Sequence, residues 1–289
     1  MSLMSSTNRF STWQSRAALG TYRTARFFLS QDALVRSATF RALYFAYKRR
    51  FADPFARLPA FLPGVYSGGS IIDIGANIGY TTSVFHQFMD TTSRLFAFEP
   101  ERQNFEALSR LSKSWENVEC IQTAVGSDCG DMLLRTNPFH PGDHRVVAKS
   151  TSNCSRETLD LTPCACTTLD SFLASRSISP KDITFLKIDV QGFEPAVIAG
   201  AHRLLSEGTN IRMALEFDWP AICAMGFSPR SLLRDIQELG FTIHRLHTSG
   251  RFEPLGAVTE VTVCDILCLR GAETPTSDST CNPVSTVVP

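Results

Sequence analysis

Residues 71–82 read IIDIGANIGYTT: an apolar strand, a turn carrying two glycines, and the start of a helix. A chain built on this unit folds as one β-α step of a sheet whose ligands sit beyond the carboxyl ends of its strands. A dinucleotide fingerprint, G-x-G-x-x-G, uses its second glycine to clear space for a pyrophosphate and its third to bring helix and strand together. Counted from Gly75, those two positions are Asn77 and Tyr80. The turn is therefore poorly shaped for a diphosphate, although Gly75 and Gly79 still let a ligand approach the backbone. Asp73, at the strand end, favours a cationic or amine-bearing ligand over a phosphate. Twenty residues past Gly79, Glu99 closes the run LFAFE, where an acid can accept hydrogen bonds from both hydroxyls of a ribose. The expected ligand is an adenosine without phosphates.

The same alternation continues along the chain. Strands are predicted at 71–74, 95–98, 118–125, 183–188, 211–217, 241–246 and 261–269. Tyr80, Val84, Phe85 and Phe88 mark the helix after the first strand; Phe105, Leu108 and Leu111 mark the one after the second. Val197, Ile198, Ala201, Leu204 and Leu205 form one apolar stripe after the fourth. Ser228 reads as an N-cap, Pro229 as the first helical residue and Gly240 as the stop. Alternating strands and helices predict an α/β fold with a doubly wound parallel sheet. The last two strands, around a polar loop, predict a terminal hairpin that adds an antiparallel edge.

A length of 289 residues with 43% hydrophobic and 19% charged residues suits one decorated α/β domain. Basic and acidic residues balance at 28 each, so no global field draws the chain to nucleic acid. The balance is uneven, because residues 1–60 hold ten Lys/Arg against two Asp, a net of +8, and the remainder carries −8. The expected division is a basic helical extension at 1–60, a domain at 61–270 and a disordered Thr/Ser/Pro-rich tail at 271–289. Within the extension Phe27, Phe28, Phe40, Tyr44 and Phe51 stand beside Arg and Lys, the pattern either of a helical cap or of a membrane-surface contact. No apolar run reaches the roughly 18 residues of a membrane span. The first residues lack the apolar core of a secretory signal, so a cytoplasmic location is expected, although four Arg and no acid in residues 1–31 also suit an organelle transit peptide. Nine Cys at irregular positions read as reduced thiols, and Cys164 and Cys166 lack the matching pair a zinc site needs.

The segments IIDIGANIGY, AFEPERQNFEAL, NVECIQTAVG, TTLDSFL, FLKIDVQGFEPAVIAGA and MALEF together resemble the FkbM family of S-adenosylmethionine-dependent methyltransferases. The resemblance covers residues from about 70 to 246. It implies a seven-stranded Rossmann-like methyltransferase sheet and S-adenosylmethionine as cofactor. The turn from Gly75 through Asn77 and Gly79 to Tyr80, with Asp73, would border its methionyl part, Glu99 would hold the ribose, and Ala124 to Ser127 would lie near the adenine. One position departs: the family commonly has Glu in its KIDVEG motif, and here Gln191 stands there, which puts an acid-base role at that position in doubt.

Methyl transfer to an alcohol needs alignment and a base at the strand ends. Asp189, beside Gly192 at the end of the fourth strand, is best placed; Glu216 ends the fifth and reads equally as a turn stabiliser or a substrate contact, and Glu194 reads first as a charge at a helix start. These acids could share a divalent cation, but there is no dedicated metal motif, so none is assigned. Residues 137–147, NPFHPGDHRVV, lie in a long insertion, where Gly142 and Asp143 would present His144 and Arg145 either to an acceptor or simply to solvent. His86 and His202 fall on predicted helices and read as structural. The leading expectation is an O-methyltransferase acting on a hydroxyl of a sugar, a glycan included, or of another small metabolite. An adenosyl-binding protein without turnover and an NAD-dependent oxidoreductase stay open as alternatives.

Overall fold

The structure, a computed structural model, describes residues 38–135, 145–147 and 161–271. It opens with helix α1 (Ala38–Tyr47), a π-turn at Lys48–Ala52 and a short 3-10 turn at Leu58–Ala60. There follow β1 (Ser70–Ile74), α2 (Tyr80–Phe88), β2 (Leu95–Phe98), α3 (Arg102–Leu111), β3 (Val118–Ile121) and β4 (Ala124–Val125). Next come β5 (Gly130–Arg135), β6 (Arg145–Val147), β7 (Leu161–Thr167), α4 (Leu169–Ser175), β8 (Ile183–Ile188), α5 (Glu194–Ala199) and α6 (His202–Glu207). The chain continues with β9 (Arg212–Asp218), α7 (Trp219–Ala224), α8 (Pro229–Glu238), β10 (Thr242–Leu246), β11 (Phe252–Pro254) and β12 (Val263–Leu269).

Strands that are apolar on both faces need cover on both, which a doubly wound sheet supplies. The main sheet runs β11-β10-β12-β9-β8-β1-β2-β3. β8, β9, β1, β2 and β3 are mutually parallel, and β12 lies antiparallel between β9 and β10. Side chains alternate across it. Ile72, Ile74, Phe96, Phe98, Leu186 and Ile188 pack on one face with Phe172, Val197, Leu204 and Ile236. Ile71, Leu95, Phe185 and Leu267 pack on the other with Phe85 and Tyr66. Phe55 and Leu58 share this second core, so the chain ahead of residue 60 is already packed into the body.

Three features differ from the sequence reading. The sheet has eight strands rather than seven, because β11 adds an edge next to β10. The terminal hairpin pairs as expected, but β12 inserts into the sheet interior instead of forming its edge. The run at 118–125 breaks at Thr123, whose N–H turns back to Ile121 O, and its second half joins a separate four-stranded sheet, β4-β7-β5-β6. That small sheet carries the long insertion. His144, most of residues 137–147, residues 1–37 and the tail from 272 lie outside the described residues.

Close packing places the strand ends together. Gly79 caps α2 in the left-handed region at φ 93°, and a Cβ there would lie 2.7 Å from Leu111 Cδ2, so its glycine lets α2 and α3 approach. Gly75, at φ 74°, sits against the Asp189 carbonyl, where a Cβ would collide. This contact seats the end of β1 on the end of β8.

Candidate functional site

The turn after β1 uses up its own donors. Gly75 and Ala76 N–H both go to Phe98 O at 3.0 Å, Ile78 N–H to Asn77 Oδ1 at 2.6 Å, and Gly79 N–H to Ala76 O at 2.9 Å. Asn77, in the left-handed region at φ 51°, donates its N–H to Glu99 Oε2 at 2.9 Å. Every backbone donor from 75 to 79 is thus engaged inside the protein, and a phosphate would find none of them free. Glu99 Oε1 accepts the Glu101 N–H at 2.9 Å. Each Glu99 oxygen therefore keeps a lone pair, and the group lines the cleft at the tips of β1 and β2. Burial pushes its pKa up to about 7, against the pull of those two backbone N–H groups.

Beneath the turn runs a chain of charges. Asp73 and Lys187 are directly opposite on β1 and β8. Lys187, with its side chain 4% exposed, places Nζ 3.4 Å from Asp73 Oδ1 and 3.4 Å from Asp189 Oδ2. Its Nζ also donates to Gly75 O at 3.0 Å and Ile74 O at 3.3 Å. Asp73 Oδ2 accepts from Thr81 Oγ1 at 2.8 Å and Thr82 Oγ1 at 2.7 Å. Burial opposes the charge on Lys187, but Asp189 and Asp73 outweigh it and raise its pKa. Burial likewise would lift Asp189; the Lys187 and Lys48 ammoniums outweigh it and hold the carboxyl below its usual range. The Asp189 side chain is 38% exposed, so it is the end of this chain that opens into the cleft.

Gln191 links Asp189 to its other neighbour. In the left-handed region at φ 55°, it donates Nε2 to Asp189 Oδ1 at 3.0 Å and to Glu216 Oε2 at 2.8 Å. An amide has two hydrogens for these two acceptors; a Glu here would bring a third carboxylate and none. Glu216 faces Asp265 across β9 and β12. Burial, then Asp189 and Asp265, push Glu216 up to about 9. Glu194 Oε1 accepts the Val190 and Gly192 N–H groups at 3.0 and 3.2 Å, so this acid braces the turn after β8.

A carboxyl whose folded pKa is raised stabilises the fold below its unfolded value and loses that contribution as pH rises through the folded one. For Glu216 the window runs from about 4.5 to about 9. Glu216→Gln should therefore gain stability relative to wild type as pH goes from 5 to 9, read by urea denaturation at both ends. A difference that stays flat or shrinks would contradict this environment.

Of the residues singled out from sequence, Gly75, Asn77, Tyr80, Glu99, Ala124 and Asp189 line one cleft. Asp73 lies below it in the ion chain and Gly79 in the α2–α3 packing. Glu216 stands behind Gln191, and Ser127 is exposed with its hydroxyl on Asp128 Oδ2 at 2.8 Å. Tyr80 donates its hydroxyl to Asp53 Oδ2 at 3.1 Å. His86 stacks on Trp115 with centroids 4.3 Å apart, away from the cleft residues. Missed from sequence were Tyr44, Lys48 and Lys187, all on the cleft wall. Lys187 did leave a signal: it is the one charge within the apolar run ITFLKI. Among the described residues no group of three His, Cys, Asp or Glu is arranged to hold a metal ion, and no helix is long and apolar enough to cross a membrane.

A family model described as the methyltransferase FkbM domain matches residues 73–243. No curated protein matches the chain. Among solved structures, an S-adenosylmethionine-dependent O-methyltransferase from Thermotoga maritima is 15% identical with a TM-score of 0.38, the match covering 76% of this chain and 65% of that one. A precorrin-6y C5,15-methyltransferase from Geobacter metallireducens is 14% identical at TM-score 0.38, covering 84% and 94%. A methyltransferase from Geobacter sulfurreducens is 14% identical at TM-score 0.41, covering 88% and 97%. Likenesses at this level assign no role to any residue here. The family model spans more than half of the chain, including the turn after β1, Glu99, Asp189 and Glu216: this protein belongs to the FkbM family of S-adenosylmethionine-dependent methyltransferases.

Proposed function

We propose that this protein methylates a hydroxyl oxygen of a sugar or another small hydroxylated metabolite, with the donor in the cleft at the tips of β1, β2 and β8. The observation that carries the reading is the pairing of a turn with no free backbone donor and a buried carboxylate with two free lone pairs. Such a wall suits ribose hydroxyls without phosphates, as the adenosyl group presents them. It argues against a nicotinamide dinucleotide, whose pyrophosphate needs the very N–H groups that the turn consumes. In this proposal Glu99 holds the ribose, Ala124 borders the purine with Ser127 at its outer rim, and the turn from Gly75 through Asn77 to Tyr80 flanks the methionyl end. Asp73 and Gly79 act on the donor through the shape of that turn.

When bound, S-adenosylmethionine supplies a methyl carbon activated by its positive sulfur. Asp189 orients the acceptor hydroxyl and takes its proton on a carboxylate oxygen. Held ionised by Lys187 and Lys48, it is a weak base that accepts the proton late, as the acceptor oxygen becomes acidic. Gln191 fixes the Asp189 rotamer. Glu216, protonated at neutral pH, keeps a second negative charge away from Asp189. His144 is the alternative proton acceptor. The domain at 61–270 carries most of this chemistry, with Lys48 reaching the cleft from the extension at 1–60; the tail at 271–289 follows it. Exposed Leu43 and Phe51 on the same segment as exposed Arg49 and Arg50, with the Arg50 guanidinium over the Phe51 ring, support a membrane-surface contact of that extension in the cytoplasm.

Incubation with labelled donor and a panel of hydroxylated acceptors tests the reading, with methyl ether products expected. Cofactor binding without any methylated product would favour a binding protein instead. Glu99→Ala should weaken donor binding by about 1.5–3 kcal/mol, the worth of hydrogen bonds to a charged group, in a calorimetric titration. Unchanged affinity would contradict the ribose assignment.

A further inference from the structure

The family domain begins at residue 73, yet Tyr44 and Lys48, well ahead of it, line the same cleft. The segment bearing them is fastened to the body. Arg57 donates Nη2 to the carbonyls of Arg49 at 3.0 Å and Arg50 at 2.7 Å, and Nη1 to Thr248 O at 2.6 Å. Phe45 meets Tyr80 edge-on with centroids 5.3 Å apart, which holds α1 against α2. Lys48 is thus presented to the cleft by a clamped turn.

The polar groups at this end of the cleft are mostly spent. Lys187 is shared among two carboxylates and two carbonyls, and both amide hydrogens of Gln191 are taken. Among the described residues Lys48 makes no hydrogen bond and has no carboxylate within ion-pair distance. Burial opposes its charge, but Tyr44, Asp189 and Asp53 outweigh that and raise its pKa, so it is a cation at neutral pH. The sheet order puts Glu99, just after β2, and Thr123, just after β3, on one side of β1, with Asp189, after β8, on the other. A ligand whose ribose meets Glu99 and whose other end crosses the β1 turn finishes between Asp189 and Lys48. The donor's amino-acid end carries an α-carboxylate, which beside Asp189 needs a cation with free donors.

We propose that Lys48, supplied by the segment preceding the family domain, is the partner of the α-carboxylate at the methionyl end of the donor; this inference rests on the adenosyl reading of the cleft. The N-terminal segment then completes the donor site rather than only covering it.

Two ligands separate the claims. S-adenosylhomocysteine keeps the amino-acid end, whereas 5′-methylthioadenosine keeps the adenosine and the thioether and lacks that end. In calorimetric titrations of the full chain, Lys48→Met should weaken S-adenosylhomocysteine about 10- to 100-fold and leave 5′-methylthioadenosine within about twofold. Lys48→Arg should restore most of the loss, because it returns the cation. The ligand-free melting temperature of both variants reports folding separately. Equal losses for the two ligands, or no loss for either, would overturn the role of Lys48 while leaving the adenosyl reading intact. If the wild-type protein binds neither compound, the adenosyl reading fails and this inference with it.

Discussion

Lys187→Met should lower the free energy of unfolding by about 3–5 kcal/mol, the cost of breaking a buried ion pair by removing one partner. Asp73 is fully buried, and without Lys187 it keeps only the hydroxyls of Thr81 and Thr82. The carbonyls of Ile74 and Gly75, where β1 turns into its loop, lose their side-chain donor as well. Met matches the stem of Lys in length, so packing contributes little to the loss. Removing the stranded charge should recover part of it: Asp73→Asn combined with Lys187→Met should be less damaging than the sum of the two single changes, by about 0.5–3 kcal/mol. Urea denaturation of the three variants gives the coupling. Additive effects would mean that Asp73 and Lys187 do not act as a pair.

Asp189→Asn should reduce turnover about 10²- to 10⁴-fold, the range for loss of a positioned proton acceptor. Stability should change far less. Asn keeps an Oδ1 to accept from Gln191, and Lys187 keeps Asp73 and its two carbonyls, so the expected loss is at most about 1.5 kcal/mol, one hydrogen bond. Donor affinity should stay within a few-fold. Kinetics with labelled donor, on an acceptor drawn from the panel, together with thermal denaturation separate the two effects. If turnover survives, the proton acceptor lies elsewhere, and His144 is the next residue to change.

The unit from β1 to α2 was legible because every local signal agrees: three buried isoleucines in β1, a left-handed glycine on each side of Asn77, and helical spacing from Tyr80. The caps of α8 were equally plain, with Ser228 Oγ accepting the Ser231 N–H at 3.2 Å and Gly240 at φ 86°. Strand order was not legible. Nothing within 263–269 says that it inserts between β9 and β10, since that choice depends on pairing with residues far away in sequence. The break at Thr123 was hidden because VECIQTAV keeps a strand-like composition through the turn.

The acids at strand tips, Glu99 and Asp189, could be read because strand ends are where ligands of such sheets bind. Lys187 could not be given its role from its own strand, because the buried carboxylate that justifies it lies on β1. Lys48 was missed for a similar reason: on its own segment it is one of several basic residues, and only the docking of α1 on α2 brings it to the cleft. Gln191 looked like the loss of an acid. Its two hydrogen bonds show that an amide there holds Asp189 and Glu216 together.

A crystal structure of the full chain with S-adenosylhomocysteine would show whether this cleft is the donor site. The ribose hydroxyls are expected on Glu99, the purine beside Ala124 and the amino-acid end between the β1 turn and Asp189. Density for the compound at any other place, or a crystal whose cleft stays vacant at saturating concentration, would contradict it.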